Sequence, residues 1–271
     1  MRLTEVRGGY TQARRLLAEL DDGSRAFVKV AVDELTAGWL RDEHRVYTGV
    51  RGSFLPALLG FDDDGVRPAL ALEDLSDAAW PPPWPEGSVE AVLRALDELH
   101  RLEPPAGLPR IEEVERLFAA WDEVERDPAP FLSLGLCSEA WLGRSLGALR
   151  AAAEGAPFSG DVPIHLDVRS DNVCLRDGRA LLVDWNQACR GNPDVDVAVW
   201  LPSLRAEGGP EPWELLPGQP GLASWVAGFF AARAGLPPPP TADPSVRVLQ
   251  RVQLEVALPW AARELGLAPL D

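Results

Sequence analysis

His165-Leu166-Asp167-Val168-Arg169-Ser170-Asp171-Asn172 runs into Val173-Cys174-Leu175-Arg176-Asp177-Gly178-Arg179-Ala180-Leu181-Leu182-Val183-Asp184. It sets a carboxylate, an amide and a second carboxylate at a spacing that suits phosphoryl transfer. In that chemistry the Asp of a His-x-Asp accepts the proton of an attacking hydroxyl, an Asn four intervening residues later meets magnesium, and a further Asp meets it after a short hairpin. Asp167 is therefore the candidate base, and Asn172 and Asp184 are the candidate magnesium ligands.

The hairpin can be read from the residues themselves. Val173 to Arg176 and Ala180 to Val183 are short apolar runs on either side of Asp177-Gly178, a strong turn signal. A three-residue loop, Asp177-Gly178-Arg179, makes Asn172 and Asp184 direct cross-strand partners with Cβ atoms about 5 Å apart. A two-residue loop leaves them a position out of register on opposite faces, a weaker arrangement for one ion.

Working outward, the next signal is Lys29. Of the 26 basic residues one is Lys and the other 25 are Arg, so the single ammonium group stands where Arg was not used. A general preference for Arg explains the scarcity but not the position, inside the apolar run Arg25-Ala26-Phe27-Val28-Lys29-Val30 after the turn Asp21-Asp22-Gly23-Ser24. An ammonium is a compact point charge, and a phosphate site built round one does not accept the planar Arg fork freely. Lys29 is the candidate phosphate ligand. Residues 33 to 50 then read as a helix with Leu35, Trp39, Glu43, Val46 and Tyr47 on one stripe. A carboxylate in mid-stripe needs a partner, and Lys29 at the end of the preceding strand is the natural one.

In order and rough spacing, Lys29, Glu43, His165-Leu166-Asp167 through Asn172, and Asp184 resemble the aminoglycoside phosphotransferase and choline kinase-like enzymes, relatives of protein kinases. Leu70-Ala71-Leu72-Glu73-Asp74-Leu75 is similar to the strand that runs into that family's inter-lobe hinge. Asp194-Val195-Asp196-Val197-Ala198 matches a further family segment. The resemblance implies an α+β, two-lobed protein-kinase-like fold: a small antiparallel sheet lobe with one helix over residues 1–75, and a larger, mainly helical lobe over 76–271. It implies ATP or GTP as donor with Mg2+, Asp167 as base, Lys29 on the phosphates with Glu43 orienting it, and nucleotide contacts around Glu73 to Leu75. His165 and Asp196 become scaffold residues bracing the catalytic loop.

The departures are informative. Asp184-Trp185-Asn186 replaces the Asp-Phe-Gly of protein kinases and no Ala-Pro-Glu follows, which argues for a small-molecule acceptor and against a protein-kinase activation segment. The loop Val6-Arg7-Gly8-Gly9-Tyr10-Thr11 has only two glycines and a hydroxyl. Its place before two strands, the second ending in Lys29, nominates Gly9 and Thr11 as nucleotide contacts.

Helical patterns are expected at 88–102, 111–126, 138–154, 194–205, 221–234 and 244–266, with a stiff Trp80-to-Pro85 loop after the hinge and a proline-rich linker at 237–240. An apolar content of 46% suffices for a core. The N-terminal residues lack the apolar stretch of a signal peptide, and the apolar run 222–232 is too short to span a membrane. The three cysteines, oddly spaced and without paired histidines, suit a reducing, cytoplasmic setting with buried thiols.

Net charge of −16 disfavours nucleic acid and anionic membranes as partners, and it would steer cations to a cleft. A polycationic, hydroxylated acceptor such as an aminoglycoside antibiotic fits, which brings resistance into view as a role. Asp194, Trp200 and Glu255 are the substrate-contact candidates, with Asp122, Glu123, Glu125 and Glu264 as further acids. Kinases of other alcohols, such as a macrolide, choline, homoserine or an amino sugar, share the same catalytic set. A non-catalytic nucleotide scaffold is disfavoured because base, amide, acid and Lys are all present. A metallohydrolase is disfavoured because such centres want more nitrogen ligands than His44, His100 and His165 supply.

Overall fold

A computed structural model of the chain describes residues 1–6, 12–114, 118–239 and 243–271. They form two compact units, Met1–Leu108 with Asp161–Pro193, and Pro109–Gly160 with Asp194–Asp271.

The first unit is built on an antiparallel sheet of β1 (Arg2–Glu5), β2 (Arg14–Glu19), β3 (Arg25–Val30), β4 (Leu58–Asp62) and β5 (Ala69–Glu73), in the order β1-β2-β3-β5-β4. The apolar run that carries Lys29 is its central strand. Helix α1 (Glu34–Gly49) follows β3 at once. Asp33 caps it by accepting from the Thr36 amide while the Thr36 hydroxyl returns to the Asp33 backbone. The buried stripe of α1 is Thr36, Ala37, Leu40, Glu43, Val46 and Tyr47. Leu35, expected on that stripe, is 46% exposed. Glu43, Val46 and Tyr47 are buried as expected, and in the first two turns Thr36 and Leu40 take the places expected for Leu35 and Trp39, the capping bonds of Asp33 holding Thr36 inward.

After α2 (Ser88–His100), β6 (Val162–Ile164) pairs with β9 (Cys189–Gly191), and β7 (Val173–Arg176) pairs with β8 (Arg179–Leu182). The β7–β8 register is Val173↔Leu182 through Arg176↔Arg179, leaving the two residues Asp177 and Gly178 as the loop. Both have positive φ, 52° and 73°, as a type I′ turn requires. The three-residue loop favoured by the sequence reading is not formed, because Asp-Gly alone makes the tight turn whose twist matches the strands.

The second unit is helical: α3 (Ala120–Arg126), α4 (Ala129–Leu132), α5 (Glu139–Glu154), α6 (Asp194–Ala206), α7 (Pro212–Leu215), α8 (Pro220–Ala234) and α9 (Ser245–Glu264). α8 is apolar nearly all round and sits at the centre, against α3, α5 and α9. Trp121 passes close over Gly228, where a Cβ would lie 2.6 Å from the indole nitrogen; that nitrogen donates to the Ser224 carbonyl at 2.9 Å. The expected helix 111–126 is interrupted. A single turn at Ile111–Glu113 is followed by α3, with Ala119 in the left-handed region between them. Among the described residues no helix is long and apolar enough to cross a membrane. Cys137, Cys174 and Cys189 are buried.

Candidate functional site

The first unit carries the catalytic motif. His165 is fully buried between two backbone groups. One ring nitrogen, Nε2, lies 2.9 Å from the Val183 carbonyl, and the other, Nδ1, lies 3.3 Å from the Asp167 amide. A carbonyl only accepts and an amide only donates, so the ring is the neutral tautomer with its proton on Nε2. Leu166 takes a left-handed φ of 65°, a sharp turn of the chain between His165 and Asp167.

Asn172 ends a short turn over Ser170–Asn172, and its side-chain Nδ2 donates to the Asp167 carbonyl at 2.8 Å and to Asp167 Oδ2 at 3.0 Å. With the nitrogen spent on Asp167, the amide oxygen is the atom left to meet a cation. Arg169 holds the other carboxylate oxygen: its Nε is 3.3 Å from Asp167 Oδ1 and 3.1 Å from Asp171 Oδ1. Burial pushes the Asp167 carboxyl above its ordinary pKa, against the opposing charge of Arg169.

Asp184 is not the ladder partner of Asn172. Val183 fills that position and donates to the Asn172 carbonyl at 2.9 Å. The ladder stops there because Asp184 has φ 67° and ψ 61° and opens a tight turn over Trp185–Gln187. Strand alternation no longer governs its side chain, and both Asn172 and Asp184 line the same cavity. The turn, not the hairpin register, brings them to one site.

Lys29 closes the set. Its Nζ lies 2.9 Å from each oxygen of Glu43 and 3.0 Å from Asp184 Oδ1. Burial alone would lower the ammonium pKa; the charges of Asp184 and Glu43 outweigh it and leave it raised. The two carboxylates are pushed apart. Burial raises Glu43, whereas the nearby Lys29 outweighs burial at Asp184 and holds it below the ordinary value. Trp185 links the parts: its amide donates to Glu43, and its ring packs on His165 at 4.4 Å between centroids.

Lys29, Asn172 and Asp184 border a cavity of about 470 Å³, within the size of small-ligand sites. Its apolar floor is Leu17, Phe27 and Leu72, and the segment Glu73 to Leu75 forms one side. The Glu73 carboxylate accepts from the Ala57 amide at 3.0 Å and pairs with Arg176, while Leu75 packs on Cys174 and Leu181. Gly9 and Thr11 lie outside the described residues. Arg15, Arg169 and Trp185 were not singled out from sequence; Arg169 sat inside the motif, and strand pairing with Lys29 was the signal for Arg15.

The remaining candidates belong to the helical unit. Asp194 opens α6 and accepts from the Gln219 side chain at 3.1 Å. Asp196 is fully buried, and exposed Glu255 pairs with Arg251 on its own helix at 3.0 Å. Trp200 is 0% exposed, so it is core packing and offers no face to a substrate.

The donor set suits a hard divalent cation. Among the described residues no group of three His, Cys, Asp or Glu could hold a metal by itself. One carboxylate and one amide beside a roomy cavity match magnesium, which takes few protein ligands and completes its shell with substrate phosphates and water.

A strand lysine locked by a helix carboxylate, beside an Asp–Asn pair and a second Asp, on an antiparallel sheet, is the layout of a kinase-like phosphotransferase. The fold is similar to a choline/ethanolamine kinase family protein from Mesorhizobium loti, with TM-score 0.64, 17% identity, and 98% of this chain and 92% of that one covered. It is also similar to a macrolide 2'-phosphotransferase from Brachybacterium faecium, with TM-score 0.54, 17% identity and coverage of 100% and 93%. Amicoumacin kinase, in complex with AMP-PNP and Ca2+, aligns with TM-score 0.57, 10% identity and coverage of 95% and 88%. No curated protein matches the chain. The model of the phosphotransferase enzyme family matches residues 2–241, and the chain belongs to that family. It is an enzyme that transfers phosphate to a hydroxyl group, on the α+β kinase-like fold expected from its motifs.

Proposed function

We propose that the enzyme moves the γ-phosphoryl group of ATP or GTP, with Mg2+, to a hydroxyl of a small cationic acceptor of the aminoglycoside type. The observation that carries the reading is the Lys29 ammonium shared between Glu43 and Asp184 at 2.9–3.0 Å beside the cavity. Glu43 orients Lys29 for the donor's phosphates. Asn172 and Asp184 hold the magnesium, which neutralises phosphate charge when bound. His165 and Asp196 brace the loop and the helix that follows it.

Asp167 takes the acceptor proton. The bond from Pγ to the β–γ bridging oxygen breaks, the bond from acceptor oxygen to Pγ forms, the proton passes to Asp167, and the diphosphate leaves. Asn172 and Arg169 fix the carboxylate on both oxygens, so the chemistry rests on positioning.

Residues 1–75 act as the nucleotide-binding lobe, and residues 76–271 carry catalysis and acceptor binding. Glu73 to Leu75 meet the nucleobase. Asp194 and Glu255 are the acids offered to the acceptor. The cationic acceptor is supported by the net charge of −16. The role that follows is resistance to such a compound in the cytoplasm.

A thermal-shift panel crossing ATP and GTP, with magnesium, against aminoglycosides, macrolides, peptide antibiotics and small alcohols tests the reading. Stabilisation by nucleotide plus a basic, hydroxylated compound, followed by a phosphorylated product in the mass spectrum, is the expected result. Stabilisation only by neutral alcohols would overturn the acceptor class, and no response to either nucleotide would overturn the donor.

A further inference from the structure

We infer that Arg15 is a second cationic ligand of the donor's terminal phosphates, working beside Lys29. This rests on the phosphotransferase reading of the site and adds a residue to it.

Arg15 on β2 is the direct cross-strand partner of Lys29 on β3, and Leu17 is the partner of Phe27. Directly opposed residues project to the same face of a sheet, so Arg15, Leu17, Phe27 and Lys29 form one surface. That surface lines the cavity, together with Leu72 opposite Phe27 on β5. Its two ends differ in chemistry. Ala26 pairs with Glu73, so the hinge end lies at the start of β3, while Lys29 is three residues further on, about 10 Å along the strand. The hinge end is floored by Leu17, Phe27 and Leu72 and suits a base. The other end carries two cations and suits phosphates.

A narrow recess beyond that end is lined by Arg15, Lys29, Glu43 and Asp184 together, which puts Arg15 at the Asp184 side of Lys29. Arg15 Nη1 donates to the Ala13 carbonyl at 3.0 Å, anchoring the guanidinium at the head of β2. A guanidinium carries five N–H donors in a planar fork, a geometry that matches phosphate oxygens in pairs.

Charge balance gives the reason for a second cation. Lys29 is shared by Glu43 and Asp184, and Arg169 is shared by Asp167 and Asp171. Each of these cations is outnumbered by its carboxylates, and an incoming polyphosphate adds further negative charge. A cation on the sheet face beside Lys29 offsets that, and it matters more for a triphosphate than for a diphosphate.

The test is calorimetric binding of the magnesium complexes of a non-hydrolysable ATP analogue and of ADP, or the guanine pair if guanine is preferred. The proteins are wild type, Arg15→Gln, Arg15→Lys, Lys29→Ala and Arg14→Ala. Arg14 is the neighbour that pairs with Glu5 at 3.1 Å, and its loss should leave binding unchanged. Arg15→Gln should weaken the triphosphate about tenfold or more and the diphosphate less than about threefold, with Arg15→Lys between it and wild type. Arg15→Lys carries the same comparison should Arg15→Gln fail to fold. Equal changes for both nucleotides, or none, would overturn the inference. If Lys29→Ala loses affinity while the Arg15 variants do not, only the role of Arg15 falls. If Lys29→Ala is also silent, the phosphotransferase reading of the site falls with it.

Discussion

Lys29 and Glu43 meet as a fork, the ammonium nitrogen 2.9 Å from each carboxylate oxygen, with side chains only 8% and 1% exposed. Removing Lys29 strands the buried Glu43 carboxylate, whereas removing Glu43 leaves Lys29 with Asp184. Lys29→Ala should therefore cost about 3–5 kcal/mol in urea unfolding, whereas a cost under about 1 kcal/mol would mean the pair is not closed in solution.

Arg41 and Asp63 tie the helix that carries Glu43 to the turn after β4, through paired bonds of 2.8 and 3.0 Å. The Arg41 guanidinium, with the Gly65 amide, holds the Asp63 carboxyl down to about 2 from 3.8. A depressed carboxylate contributes stability that is present above its unfolded value and lost as pH falls through the folded one, here between 3.8 and about 2. In an NMR titration Arg41→Ala should move the Asp63 midpoint upward, towards 3.8. An unmoved midpoint would show that the bridge does not form.

Gly178 sets the hairpin that delivers Asn172 and the turn at Asp184. At φ 73° a β-branched side chain is strained, so Gly178→Val should cost about 1–2 kcal/mol of stability by thermal or urea melts. An unchanged melting curve would place the loop in another conformation.

Much of this was legible before any coordinates. A single Lys in an apolar run, an acid in mid-stripe and the Asp–Asn–Asp spacing are local features, and local spacing survives folding. The hairpin loop length was not legible, because two and three residues both satisfy Asp177-Gly178-Arg179. The convergence of Asn172 and Asp184 depends on a left-handed Asp184, which no periodicity encodes. The same is true of Leu166. Arg15 was nearer to hand: a turn centred on Asp21 to Ser24 folds β2 back so that residue 15 falls opposite residue 29. The first two turns of the α1 stripe differ from the apolar pattern, with Thr36 and Leu40 inward, because capping by Asp33 and Thr36 fixes the start of the helix. Trp200 drew attention by its place after Asp196, but aromatic rings are first of all core material.

Asp167 is gripped on one oxygen by Asn172 and on the other by Arg169, an arrangement suited to a fixed base. Asp167→Ala should lower kcat by orders of magnitude and change nucleotide affinity little, since Lys29, Asn172 and Asp184 are untouched. Turnover near the wild-type rate would move the base elsewhere.

The central claim is that Asp184 and Lys29 together receive a metal-bound nucleotide. Calorimetric titration with ATP and GTP, with and without magnesium, tests it in wild type and Asp184→Asn. Magnesium should tighten one nucleotide on the wild type about tenfold or more, and Asp184→Asn should lose this gain. A wild type that binds neither nucleotide, or an Asp184→Asn protein that keeps the full magnesium dependence, would contradict it.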